Sequence, residues 1–151
     1  MKIRDVLAAK GSRVVTVWPN KPLDEIVRLL AERNIASVVV VDHDDHPLGV
    51  ITDRIIMREL AHGGAASLRN TARAVLMKQT EPVLPACSVE DTVAAVLRRM
   101  TDERYRHAVI MDESRLVGIV SIGDLVKVRL DDAEIEGRVL RDIALGHMAA
   151  A

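Results

Sequence analysis

The segment Gly118-Ile119-Val120-Ser121-Ile122-Gly123-Asp124 changes character at its hydroxyl. Before it, Leu116 to Val120 is aliphatic and rich in β-branched residues, the composition of a buried strand; beyond it, Leu125-Val126-Lys127-Val128-Arg129-Leu130 has helical character. Ser121 therefore reads as an N-cap at a strand-to-helix turn. The free N–H groups and positive dipole end of such a turn favour an anion, and a serine hydroxyl can add a hydrogen bond to a phosphate oxygen. Asp124, one turn into the helix, is placed to accept two hydrogen bonds from a ribose diol. Ser-x-x-Asp is equally an ordinary capping sequence, so the spacing alone leaves both readings open.

Upstream of this turn the chain carries a related one, Gly49-Val50-Ile51-Thr52, and the elements leading into the two turns match. A shift of 70 residues lays Leu23, Ile26, Val27 and Leu30 on Val93, Val96, Leu97 and Met100, and Val39-Val40-Val41-Asp42 on Val109-Ile110-Met111-Asp112. After a connection one residue shorter, Gly49-Val50-Ile51-Thr52 falls on Gly118-Ile119-Val120-Ser121. The chain is therefore an internal repeat, and each copy reads β-α-β-β-α.

In the first copy, Val14 to Val17 is predicted as a strand, and Pro19-Asn20-Lys21-Pro22 as a turn whose second proline opens a helix. That helix runs to Asn34; Ile35 to Val41 is a buried strand; Asp42 to Pro47 is a polar turn; Leu48 to Thr52 returns antiparallel; and Asp53 to Ala61 is helical again. A short amphipathic helix over Lys2 to Ala9 precedes the first copy, and Thr71 to Met77 mirrors it before the second. Gly63 to Ser67 reads as a flexible connector, and Pro85 confines the strand near Leu84 to Ser88 to an edge. Past Leu130 a helix continues with an apolar stripe of Ile135, Val139, Leu140 and Ile143, to be covered by a second subunit or by its own domain. The predicted division is 1–66 with the N-terminal helix, 67–130, and a C-terminal helical extension over 131–151.

Composition narrows the function classes. The chain is 49% hydrophobic and 28% charged, with net charge −1 from 21 basic and 22 acidic residues, so no basic patch points to nucleic acid or an anionic membrane. Trp18 and Tyr105 are the only aromatic residues, which argues against base-stacking on single strands. One cysteine, Cys87, excludes an internal disulfide; with no signal peptide and no run of roughly 18 apolar residues, the expectation is a cytoplasmic protein.

Two tandem β-α-β-β-α units, each with a Gly-hydrophobic-hydrophobic-Ser/Thr turn, resemble a pair of CBS (cystathionine β-synthase) domains, a Bateman module, here of the stand-alone bacterial kind. Its most specific segments are Arg106-His107-Ala108-Val109-Ile110-Met111-Asp112 and Leu116 through Lys127. The resemblance implies an α/β (α+β) fold of two repeats packed sheet to sheet, plus a C-terminal helix. It implies a non-catalytic regulatory module that binds an adenosine-containing ligand between its repeats: AMP, ADP or ATP, and in some members S-adenosylmethionine or NAD. On that resemblance Ser121 meets phosphate and Asp124 the ribose, with Ile122 and Gly123 in the same turn. Val15, Ile35, Ala36 and Ile119 shape the adenine pocket, while Arg106 and His107 approach phosphate. The first copy departs from the pattern: in Thr52-Asp53-Arg54-Ile55 the carboxylate position is Ile55, which predicts a weaker second pocket where Arg54 still reaches phosphate.

The function implied is an adenine-nucleotide sensor acting as a homodimer on an unidentified regulated protein. Two alternatives stay open: a dimerisation module that binds no ligand, which Ile55 favours, and a metal-dependent stress protein using His43, His46 or His107. The run Asp42-His43-Asp44-Asp45-His46 reads as a solvated turn, so no metal site is expected. Neither a nucleophile-base pair nor a glycine-rich phosphate loop is present, so no catalytic residue is expected.

Overall fold

The structure, a computed structural model, describes residues 1–80 and 83–150. Helix α1 (Ile3–Lys10) is closed by Gly11 and followed by β1 (Thr16–Val17), α2 (Leu23–Arg33), β2 (Ser37–Val41), β3 (Pro47–Thr52) and α3 (Asp53–Gly63). The second copy comprises α4 (Ala72–Met77), β4 (Ala86–Ser88), α5 (Val93–Asp102), β5 (His107–Asp112), β6 (Arg115–Ser121) and α6 (Ile122–Ala150). Two sheets of order β1-β2-β3 and β4-β5-β6 result, each with a parallel edge strand and an antiparallel hairpin. Among the described residues no helix is long and apolar enough to cross a membrane.

The central strands are buried on both faces, which is why their sequences are aliphatic throughout rather than alternating. In β2, Val38 and Val40 face Leu23, Ile26 and Leu30 of α2, whereas Val39 and Val41 meet Val50 and the second sheet's Val109. In β5, Ala108 and Ile110 face Val93, Val96 and Met100 of α5, while Val109 joins the seam between sheets. The two repeats are thus packed sheet to sheet across an aliphatic seam, as expected.

The connections are crossed. Ile3 and Val6 of α1 lie in the core of the second repeat, and Ala72, Val75 and Leu76 of α4 in the core of the first. The Ile3 N–H donates to Asp91 O at 2.9 Å, and the Ala72 N–H to Lys21 O at 2.8 Å. By packing, the N-terminal helix serves the second repeat although it precedes the first in sequence. The turn glycines make room for it: a Cβ on Gly118 would stand 2.6 Å from Leu7 Cδ1 of α1, and one on Gly49 2.7 Å from both Leu76 methyls of α4.

Several boundaries shift for local reasons. Val14 and Val15 fall outside β1, though Val15 O still accepts the Val39 N–H at 3.0 Å. Ile35 and Ala36 fall outside β2 because their backbone groups close α2 and open α3: Ile35 N donates to Leu30 O, and Ala36 O accepts from Asp53 N. Pro22 is the N-cap of α2 rather than its first residue. The connector after α3 is not flexible chain but a 3₁₀ helix, Gly64–Arg69, fixed by the buried Ser67 hydroxyl donating to Gly64 O at 2.7 Å. β4 is short, starts after Pro85 and sits at its sheet's edge. Finally, α6 runs unbroken through residue 131 and leaves the body, exposing Leu130, Ile135, Val139, Leu140 and Ile143.

Candidate functional site

The β6–α6 turn is a reciprocal cap. Ser121 N–H donates to Asp124 Oδ2 at 2.8 Å, and Asp124 N–H donates to Ser121 Oγ at 3.1 Å. Because the Ser121 oxygen accepts in this cap, its own proton is available to a ligand acceptor. Lys10, at the end of the crossed helix α1, donates to Asp124 Oδ2 and to Ile119 O, both at 2.7 Å. Burial pushes the Asp124 carboxyl upward, but the Lys10 ammonium and the Ser121 N–H outweigh it and hold the group below the usual carboxylate range.

Beside this turn lies a cavity of about 260 Å³ between the two repeats. Val15, Ile35, Ala36 and Ile119 supply an aliphatic wall, and Ser121, Ser37 and His107 supply polar groups. Lys10, Arg13 and Arg33 add three cations. Val15, Ile35, Ala36, Ile119, Ser121 and His107 are all residues singled out from the sequence, and the structure brings them together. Asp124 adjoins the cavity through Ser121 and Lys10. Ile122 instead packs against the second repeat's core, and Gly123 is exposed.

Arg106 lines a different cavity, of about 90 Å³, which is the sister site of the first repeat's turn. Arg106 precedes β5 and lines this cavity alone, whereas His107, the first residue of β5, borders both cavities. Here Thr52 Oγ1 accepts the Ile55 N–H at 3.2 Å, the same cap without its carboxylate. Thr52, Arg54 and Ile55 share this cavity with Tyr105 and Arg106. Burial lowers the His107 pKa, against the opposing pull of Asp53 and Asp124, so the ring is held neutral to lower pH than usual.

Lys10, Arg13 and Arg33 were not legible as site residues. Only the crossing of α1 and the end of α2 bring them to the turn, and no local spacing reports such long-range contacts. The Asp42-to-His46 turn places ligand atoms of Asp42, Asp44 and His46 within 4.8 Å of one another. Asp42 Oδ1 already accepts the N–H groups of Asp44 and His46, both at 2.9 Å, which is turn chemistry. Cys87 is buried, and burial together with Asp91 raises its thiol to about 11, so it is unreactive.

The model of the family described as "CBS domain" matches residues 3–62 and 75–131. A 17.7 kDa protein from the bps2 3′ region of Acidianus ambivalens is 34% identical over 132 residues, 83% of this chain and 76% of that one. The crystal structure of a CBS-domain containing protein from Agrobacterium tumefaciens superposes with TM-score 0.79 at 36% identity, covering 85% of this chain and 99% of the other. A Pyrobaculum aerophilum CBS domain protein complexed with AMP has the same fold, with TM-score 0.70 at 21% identity over 82% of this chain and 89% of that one.

Proposed function

The chain belongs to the CBS domain family, and we propose that it is a non-catalytic regulatory module that binds an adenine nucleotide in the 260 Å³ cavity beside Asp124. The observation that carries this reading is the meeting, in one cavity, of an aliphatic wall with a hydroxyl-capped helix start and three cations. Val15, Ile35, Ala36 and Ile119 enclose the flat base, whose transfer from water needs apolar surface more than aromatic partners. Ser121 and Lys10 meet the phosphate, and Arg13 and Arg33 add positive field. Asp124 accepts the ribose hydroxyls through the carboxylate oxygen not already bonded to Lys10 and Ser121. The AMP complex of the Pyrobaculum aerophilum protein supports AMP as the first ligand to try, with ADP and ATP next.

Val15, Ile35 and Ala36 of the wall come from the first repeat, and Ile119 and the turn from the second, so a bound nucleotide ties the repeats together. It favours whichever mutual orientation lets it touch both, and this biases contact with a regulated partner protein. A panel of nucleotides in a thermal-shift assay tests the reading: a ligand of the folded state raises Tm by mass action, and a panel without effect rejects it.

A second copy of the chain covers α6. Leu130, Ala133, Gly137, Leu140 and Ala144 recur at alternating spacings of three and four, the seam of a helical pair. In an antiparallel pair this seam sets each Leu140 over the partner's Gly137, and Glu134 against the partner's Arg141. The complementary charges favour a second copy as the occupant, and the module acts as a homodimer.

A further inference from the structure

The two cavities are built on the same backbone frame but have opposite chemistry. Where the Asp124 cavity has Asn34, Ile35, Ala36 and Ser37 in or beside its wall, the repeat offset puts Arg104, Tyr105, Arg106 and His107 at the Ile55 cavity. Across from them stand Thr52 and Arg54 at the start of α3. Among the described residues lining the site, three guanidiniums, those of Arg54, Arg104 and Arg106, face the carboxylate of Asp53; Arg58, already engaged, also lines the site. Among the described residues those three guanidiniums have no ion-pair or hydrogen-bond partner. Tyr105 leans on the second repeat's core.

Arg104 adds an independent sign. It sits in the left-handed region at φ 59°, and its counterpart Asn34 at φ 50°. Asparagine tolerates that conformation and arginine does so poorly, so the second repeat retains a strained residue where the first has a relaxed one. Strain of this kind concentrates at sites that use the side chain.

We propose that the Ile55 cavity binds an oligophosphate group rather than a nucleoside. At about 90 Å³ it is far smaller than its sister, and Ile55 offers no acceptor for ribose hydroxyls. Planar guanidiniums around a capped helix start are instead suited to grip phosphate oxygens in pairs. The group has two possible sources: free pyrophosphate, or the phosphate tail of a nucleotide whose adenosine occupies the Asp124 cavity, His107 being common to both.

Calorimetric titration of the full chain with inorganic pyrophosphate, and separately with AMP and ATP, tests this. In the free-anion case pyrophosphate binds one site per chain, salt-sensitively, and the Arg54→Gln/Arg106→Gln variant weakens it by about tenfold or more. Asp124→Asn leaves that binding in place, which separates this site from the nucleotide reading. In the tail case pyrophosphate alone gives no heat, but the double variant weakens ATP and not AMP. Arg104→Asn weakens the oligophosphate in either case while raising Tm, showing that the folded state is intact. The proposal is overturned if pyrophosphate gives no heat and ATP and AMP respond alike to the double variant. It is also overturned if Arg104→Asn and the double variant both bind like the wild type.

Discussion

Lys10 and Asp124 are paired at the end of the crossed helix α1: the Lys10 ammonium lies 2.7 Å from Asp124 Oδ2 although 114 positions separate the two in sequence. This contact exists only because α1 crosses to the second repeat. It turns a capping carboxylate into the acidic half of a half-exposed ion pair, with side chains 34% and 30% exposed.

The pair predicts a pH signature. The Asp124 carboxyl is held below its ordinary value of about 3.9, so its contribution is complete above that pH and is lost as pH falls through the lowered folded value. Urea unfolding at neutral pH and again below the ordinary value should show the gap between wild type and Asp124→Asn closing in acid. A gap of constant size would remove the ion pair from the stability of the turn.

His107 predicts the opposite group's behaviour in a higher window. Its pKa is lowered by burial, so the unfolded chain takes up a proton that the folded chain refuses as pH drops below about 6.5. Wild type should therefore lose Tm between neutral pH and the folded value, and His107→Gln should lose less. Phosphate groups bound on either side would raise the His107 pKa, and NMR titration of its ring protons with and without ligand would read the change.

The turn glycines rank differently under substitution. Gly49→Ala pushes a methyl against both Leu76 methyls and within 3.1 Å of the Val83 carbonyl, and should cost about 1–3 kcal/mol in urea unfolding. Gly118→Ala meets Leu7 and Ile110 side-chain ends, and the half-buried Leu7 can swing aside, so it should cost less. Equal costs would mean that the crossed helices are not held at these points.

Self-association should depend on α6. Leu140→Glu puts a charge on the exposed seam, where Leu140 is 67% exposed in the single chain, so it should leave the fold intact and give a monomer in sedimentation. A wild-type monomer, or a Leu140→Glu dimer, would place the subunit contact elsewhere or nowhere.

The repeat, both hairpins and the edge position of β4 were legible because hydrophobic runs, turn residues and Pro85 each act locally. The aliphatic side of the cavity beside Asp124 was legible only through the family resemblance, which pairs Val15, Ile35 and Ala36 of one repeat with the turn of the other. The crossing of α1 and α4 was not: Ile3, Val6, Val75 and Leu76 satisfy an amphipathic pattern equally well on either repeat. With that crossing unseen, Lys10 was invisible as a partner of Asp124. Arg106 and His107 are neighbours in sequence, yet only His107, the first residue of β5, reaches the Asp124 cavity, while both line the Ile55 cavity, a division that residue spacing does not report.

The most direct test is calorimetric titration of AMP into wild type and Asp124→Asn. Asparagine keeps an acceptor for the Ser121 N–H, so the turn persists while the charge that grips the ribose is removed. The expected result is one AMP per chain for wild type and affinity lower by about tenfold or more for the variant, with unchanged circular dichroism. Absence of binding by AMP, ADP and ATP alike, or equal affinity in the two proteins, would contradict a nucleotide site at Asp124.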